Sequence, residues 1–294
     1  MTGFSIIIPA HNEANVIEST LQSLLSSHIN CPLQIIVVAN GCRDDTADRA
    51  RAVAKATGGP IEVIETPIGG KCNALNIGDR AAHYFPRAYL DADIHISENA
   101  LQSVADAFKD SQCRVAAPAA RHVYSGWNPI LAGYYSLWRS LPYVRNSVMG
   151  CGFYAIDRQL RSRFVEFPSL TADDKFIRNL TEPSERRVVG NCYSMINMPE
   201  TFADLLKVKT RWTYGSLELA NARPDLNVND QHRYKGVIPH LLLRPWLWPN
   251  IPAFVLVYLY SHHAARQKLA EISPAIWERD DSTRPMPRQT RPAA

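Results

Sequence analysis

The residues best suited to chemistry are Asp91-Ala92-Asp93, which follow directly on a hydrophobic strand pattern ending at Leu90. On an extended chain, carboxylates two residues apart point to the same side. Open α/β sheets bind ligands at the carboxyl ends of their parallel strands. There, such a pair suits a hard divalent cation bridging to a diphosphate. Taken alone, the tripeptide is better explained as a solvated Asp-x-Asp turn. Three further loops shift that balance: Pro9-Ala10-His11-Asn12-Glu13, Asn40-Gly41-Cys42-Arg43-Asp44-Asp45-Thr46, and Gly69-Gly70-Lys71-Cys72-Asn73-Ala74-Leu75-Asn76. The last joins a glycine turn, helix-end amides and a lysine, a combination that favours an anion. Each loop closes a strand pattern, and together they point to one crevice. A second acidic pair, Asp173-Asp174, has two readings: an acid-rich first helical turn favoured by the macrodipole, or a carboxylate base for an attacking hydroxyl.

The elements that must carry these loops alternate. Strand patterns fall at 5–9, 33–39, 61–64, 88–90 and 114–117, the first two nearly continuous in Ile and Val, as suits strands covered on both faces. Helix-period stretches lie between them at 16–27, 45–57 and 71–84, and Ser97 is the expected cap of a helix bearing Leu101, Val104 and Phe108. This alternation predicts an α/β fold with a mainly parallel central sheet flanked by helices. The expected organisation is a doubly wound α/β half over 1–120, a substrate-binding half over 121–235, and a C-terminal apolar helical extension with a loose tail over 236–294.

Composition narrows the field. Among 294 residues, 46% are apolar and 20% charged, which excludes wholesale disorder and coiled coil. The net charge of +4 comes without a Lys/Arg block, so no nucleic-acid partner is expected. The six cysteines show no paired spacing, and the histidines His11, His83, His95 and His122 show no metal-ligand spacing. The start lacks the pattern of a signal peptide. Free thiols in a reducing cytoplasm are therefore expected.

The four loops, in their order, make the chain resemble the family 2 glycosyltransferases, inverting enzymes of the GT-A (nucleotide-diphospho-sugar transferase) fold. The opening strand with P-x-x-N-E (5–13), the second loop (35–46), G-K-x-x-A-L-N (70–76) and D-x-D (91–93) carry the likeness. Two later segments extend it: Met149-Gly150-Cys151-Gly152-Phe153, similar to the acceptor-side glycine strand, and Leu170-Thr171-Ala172-Asp173-Asp174, similar to the acids before the catalytic helix. The resemblance covers about 3–215. It implies Mg²⁺ or Mn²⁺ at Asp91 and Asp93, and donor contacts from Pro9, Ala10, Asn12, Glu13, Asn40, Lys71, Asp91 and Arg211. Asp174 is implied as the base with Asp173 as the adjacent candidate, and Gly150, Cys151, Gly152 and Trp212 lie toward the acceptor.

The implied activity is metal-dependent inverting transfer from a nucleotide diphosphate sugar to a hydroxyl of a saccharide or lipid-linked acceptor, as in polysaccharide biosynthesis. A polyprenyl-phosphate acceptor is one variant. A sugar-phosphate nucleotidyltransferase and a catalytically inactive nucleotide-sugar-binding module are the rivals. Three positions depart from the family. Ala39-Asn40 stands where an acidic pair is usual and Cys42 where serine is, which leaves the donor base open. Val208 replaces the glutamine of Q-x-x-R-W, which weakens a processive reading. Arg211 reads either as a diphosphate clamp or as a surface salt bridge, and Trp212 as a sugar platform or a core aromatic. Trp127, Tyr134, Tyr135 and Trp138 are expected to pack the acceptor half. The stretch 245–265 lacks Asp, Glu, Lys and Arg. Its apolar centre, 251–260, would rise only about 15 Å as a helix against roughly 30 Å of hydrocarbon. It reads as a helix pair packed on the domain or as a peripheral membrane anchor, which would place the protein in the cytoplasm at the inner face of the cell membrane.

Overall fold

A computed structural model describes residues 3–145, 147–230 and 236–271. The two runs richest in Ile and Val form central strands. Strand β1 (Phe4–Ala10) is buried throughout and β2 (Leu33–Asn40) from Ile35 onward, as strands covered on both faces must be. Strands β3 (Ile61–Thr66) and β4 (Arg87–Leu90) flank this pair, all in parallel. Further across, β7 (Phe153–Ile156) runs antiparallel to both β4 and β6 (Val115–Val123). Strand β8 (Arg186–Asn197) is parallel to β6, and β5 (His95–Ile96) closes the edge antiparallel to β8. The order is β3-β2-β1-β4-β7-β6-β8-β5. The sheet is therefore mixed: β5 and β7 oppose the six strands that share one direction.

Side-chain alternation along β1 builds a core on each face. Ile6 and Ile8 pack with Ile17, Leu21 and Leu24 of the Ile17–Leu25 helix and with Leu101 and Val104 of the Ala100–Ala107 helix. Ile7 points the other way, into a core with Ala74 and Leu75 of the Lys71–Ala81 helix and with Phe176 and Ile177 of the Asp173–Asn179 helix. Ser97 does not cap its helix. Its hydroxyl donates to Asn99 Oδ1 and receives the Tyr193 N–H of β8, while Asn99 takes the cap position.

A third apolar cluster joins the Pro129–Ser140, Phe202–Ala222 and Ile251–Ala270 helices through Leu131, Tyr135, Trp138, Leu205 and Val257. Tyr134, Tyr135 and Trp138 are buried as expected. Trp127 is not: it precedes the helix cap Asn128 and is 99% exposed. The C-terminal helix packs inward through Val257, Ser261 and Ala265, one stripe at four-residue spacing. It is apolar only over its first half, and Ser261–Ala270 reads SHHAARQKLA. No helix among the described residues is long and apolar enough to cross a membrane. The tail after Ser282 lies outside the described residues.

Candidate active site

The neighbours of β1, namely β2 and β4, are reached in opposite directions along the sheet, so a crevice opens where β1 and β4 end. Its volume is about 390 Å³, and its walls include Pro9, Glu13, Lys71, Asp91, Asp93, Gly150, Cys151, Gly152, Asp173, Asp174, Arg211 and Trp212. Residues more than 200 positions apart in the chain thus share one space. Ala10, Asn12 and Asn40 stand behind its wall. Asn40 is fully buried, its Nδ2 donating to Ala10 O at 2.8 Å and its Oδ1 accepting from Gly70 N at 2.9 Å. It braces the ends of β1 and β2 against the glycine turn. Asn12 holds the next loop through Arg43 N–H, donated to its Oδ1 at 2.7 Å.

The acids are held in distinct ways. Lys71 Nζ lies 2.7 Å from Asp91 Oδ1 and 2.9 Å from Asp173 Oδ1. Burial pulls the Lys71 pKa down, but the Asp173 and Asp91 carboxylates outweigh it and hold the ammonium well above its usual value, hence charged. Asp173 is buried, and Tyr154 OH donates to its Oδ2 at 2.9 Å. Burial pushes the Asp173 pKa up against the opposing pull of Lys71. Asp174 is half-buried and faces the crevice; its Oδ2 accepts from Gly150 N at 2.8 Å and its Oδ1 from Lys175 N at 2.7 Å. A carboxylate presented this way suits proton acceptance, whereas Asp173 is enclosed by its partners.

The Gly150–Gly152 bend does more than line the crevice. Gly150 N–H anchors Asp174, and Gly152 O accepts Asp91 N–H at 2.8 Å. Both glycines have left-handed φ, 66° and 62°, and a Cβ on Gly152 would come 2.4 Å from Ile94.

Three side chains fix the segment entering Asp173. Asn76 grips the Phe167 peptide at both ends, Nδ2 to O at 3.0 Å and Oδ1 from N at 2.8 Å. Cys72 Sγ donates to Leu170 O, and Glu218 accepts Thr171 N–H at 2.7 Å. Gly215 lets the Phe202–Ala222 helix close in, since a Cβ there would lie 3.1 Å from Ala172 and Thr171. Asn76 therefore braces the segment that leads into the acids.

The far end of the crevice is aromatic. Trp212 is 37% exposed, its ring 6.0 Å from Trp138. Lys209 Nζ sits 3.7 Å from the Trp138 centroid and 4.2 Å from that of Trp212. His122 meets Trp138 edge-on at 4.7 Å. Burial, helped by the charges of Lys209 and Arg139, pulls the His122 pKa down to about 4. Sequence reasoning missed Tyr154, Lys209 and Glu218. Tyr154 of β7 is registered opposite Tyr89 of β4, a pairing that no local sequence pattern announces.

Asp91 and Asp93 both face the crevice, and a cationic group already lies against Asp91. Among the described residues, no three His, Cys, Asp or Glu gather as a metal cluster. This donor set fits a hard cation that takes one or two carboxylates and fills its remaining positions with water and substrate phosphate.

The family model of Glycosyl transferase family 2 matches residues 5–153. The chain is 28% identical over 116 residues to the minor teichoic acid biosynthesis protein GgaA of Bacillus subtilis, covering 37% of this chain and 25% of that protein. It is 30% identical over 109 residues to a poly-beta-1,6-N-acetyl-D-glucosamine synthase of Staphylococcus aureus, covering 37% and 26%. The matched stretch thus spans about a quarter of these curated relatives. Among solved structures, the mannosyltransferase PcManGT of Pyrobaculum calidifontis, in complex with GDP-Man and Mn²⁺, superposes at TM-score 0.59 and 19% identity, covering 92% of this chain and 76% of that one. The S. aureus TarS 1–349 complex with UDP-GlcNAc gives TM-score 0.51 at 14% identity, covering 90% and 92%. These likenesses carry the GT-A fold, and the sequence match carries the family. The chain holds a glycosyltransferase domain and belongs to Glycosyl transferase family 2.

Proposed function

We propose that this domain moves a sugar, with inversion, from a nucleotide diphosphate donor to a hydroxyl of a lipid-linked saccharide, using Mg²⁺ or Mn²⁺. The observation that carries the reading is the glycine bend, which ties Asp91 and Asp174 to one rigid stretch while Lys71 lies between Asp91 and Asp173. In this reading residues 1–120 bind the donor and 121–235 the acceptor. Pro9, Glu13 and Lys71 line the donor, and Arg211 reaches its diphosphate. Asp174 accepts the acceptor hydroxyl proton as that oxygen attacks the anomeric carbon. Asp91 and Asp93 would hold the cation, whose chemistry is to offset the charge of the departing diphosphate. Complexes of two proteins of the same fold with GDP-Man and UDP-GlcNAc support a nucleotide-sugar donor.

The aromatic far end, with its lysine, favours a lipid-linked acceptor over a free sugar, and an acceptor phosphate as in a polyprenyl phosphate would suit Lys209. Calorimetry with UDP, GDP and dTDP, each with and without Mn²⁺, tests the donor site. One diphosphate should bind in a metal-dependent way, and Asp93→Ala should abolish that dependence. Well-folded protein that binds none of them would refute the reading. Binding without release of nucleoside diphosphate from any sugar nucleotide would favour the inactive module.

A further inference from the structure

The C-terminal extension gathers most of the large apolar side chains that the described residues expose, whereas elsewhere Ile68, Trp127, Ile130 and Val165 stand out scattered along the chain. Leu242, Leu243, Trp246 and Trp248 are exposed before the last helix, Leu243 to 74% and Trp246 to 68%, and Leu256 and Leu259 are exposed along it. Their inward neighbours Leu247 and Val257 are buried in the third core cluster, so the exposed set is not a loosely packed core. Groups of this size left in water on a soluble face mark an interaction surface.

Charge selects the occupant. From 236 to 270 the chain contains no Asp or Glu, while Arg244, Arg266 and Lys268 flank the apolar residues. Two copies meeting through this face would bring Arg244, Arg266 and Lys268 of each together, with Glu271 at the end of the helix as the nearest acid in sequence. A bilayer carrying anionic headgroups offers the opposite sign as well as an apolar phase for the aliphatic side chains. Trp246 and Trp248 have the amphipathic rings that settle at headgroup level. The same helix lines the crevice through Phe254 and Val257, so a surface seated here would lie beside the apolar end of the active site.

We propose that this face docks the protein on an anionic lipid bilayer, without spanning it. The inference goes beyond the transfer reaction, and its readout needs no turnover. The full chain is sedimented with vesicles of phosphatidylcholine alone and of an equal mixture with phosphatidylglycerol. Binding to the anionic vesicles should be strong, weaker on neutral ones, and reduced by added salt. Leu243→Glu with Trp246→Glu, and separately Leu256→Glu with Leu259→Glu, should each lower the partition coefficient about tenfold or more, because each removes apolar insertion and adds repulsion. The altered side chains are exposed, so thermal unfolding should match the parent and exclude misfolding. Parent protein that stays in solution with anionic vesicles, or variants that bind as the parent does, would overturn the proposal. So would a concentration-dependent dimer abolished by the same substitutions.

Discussion

Replacing Asp174 and Asp173 separately by Asn should separate the proposed proton acceptor from its support. The Asp174 carboxylate takes two backbone N–H groups, from Gly150 and Lys175, and half-faces the crevice. An amide keeps an oxygen for one of these donors and sets an NH₂ against the other. Partial exposure limits the stability cost to about 1 kcal/mol. Loss of the base, by contrast, should slow turnover by about 10²–10⁴, roughly 3–5 kcal/mol of barrier, with nucleotide affinity nearly unchanged. Asp173 behaves in the opposite sense. Its carboxylate is buried against Lys71 and Tyr154, and breaking a buried pair costs about 3–5 kcal/mol. Lys71 retains Asp91, which places the loss near the lower end, a fall in Tm of roughly 6–12 °C. Release of nucleoside diphosphate gives the rates, calorimetry the affinity, and thermal unfolding the stability. The reasoning fails if Asp174→Asn keeps turnover within a few-fold of the parent, or if Asp173→Asn melts with it.

Tyr154→Phe removes the donor to buried Asp173 Oδ2 and should cost about 1.5–3 kcal/mol in denaturant unfolding; an unchanged midpoint would remove Tyr154 from the acid's support. His122 has a folded-state pKa of about 4 against an ordinary value of 6.5, so the unfolded chain binds the extra proton between these values. Its contribution to stability is complete above pH 6.5 and falls by up to about 3 kcal/mol as pH drops toward 4. His122→Gln should flatten that part of the stability profile, and an identical slope in both proteins would contradict the assignment. Gly215→Val forces the Phe202–Ala222 helix away from Thr171 and Ala172. It should lower stability by about 1–3 kcal/mol and turnover by more than nucleotide affinity, and equal loss of both would show that the helix supports the donor site instead.

The amino-terminal strands were readable because Ile and Val runs bounded by glycine turns leave few alternatives. The same loops announced Asp91, Asp93 and Lys71, since strand-end position and local spacing both mark them. Asn40 and Asn76 stand in these motifs, but the motifs do not say that both amides bond to backbone. Whether an amide faces ligand or backbone is decided by packing that spans 30 residues for Gly70 and Asn40, and 91 for Phe167 and Asn76. The reversal of β7 was also hidden, because a four-residue buried strand has no direction in its composition. Lys209 and Glu218 sit on a helix whose approach depends on Gly215, and no local pattern encodes that approach. Trp127 was misplaced because aromatic content was read without regard to the cap that begins the helix after it.

The reversal of β7 makes the beginning of a strand, not its end, reach the crevice between parallel neighbours. The Gly150–Gly152 bend therefore serves as a spacer of set length between two charged centres whose own loops are more than 80 residues apart in the chain. Helices 129–140 and 251–270 line the opposite wall, whereas helix 202–222 also braces the segment entering Asp173 through Gly215 and Glu218. Remodelling the first two to fit acceptors of other shapes would leave the distance between Asp91 and Asp174 untouched. The fold thereby divides gauge from receiver.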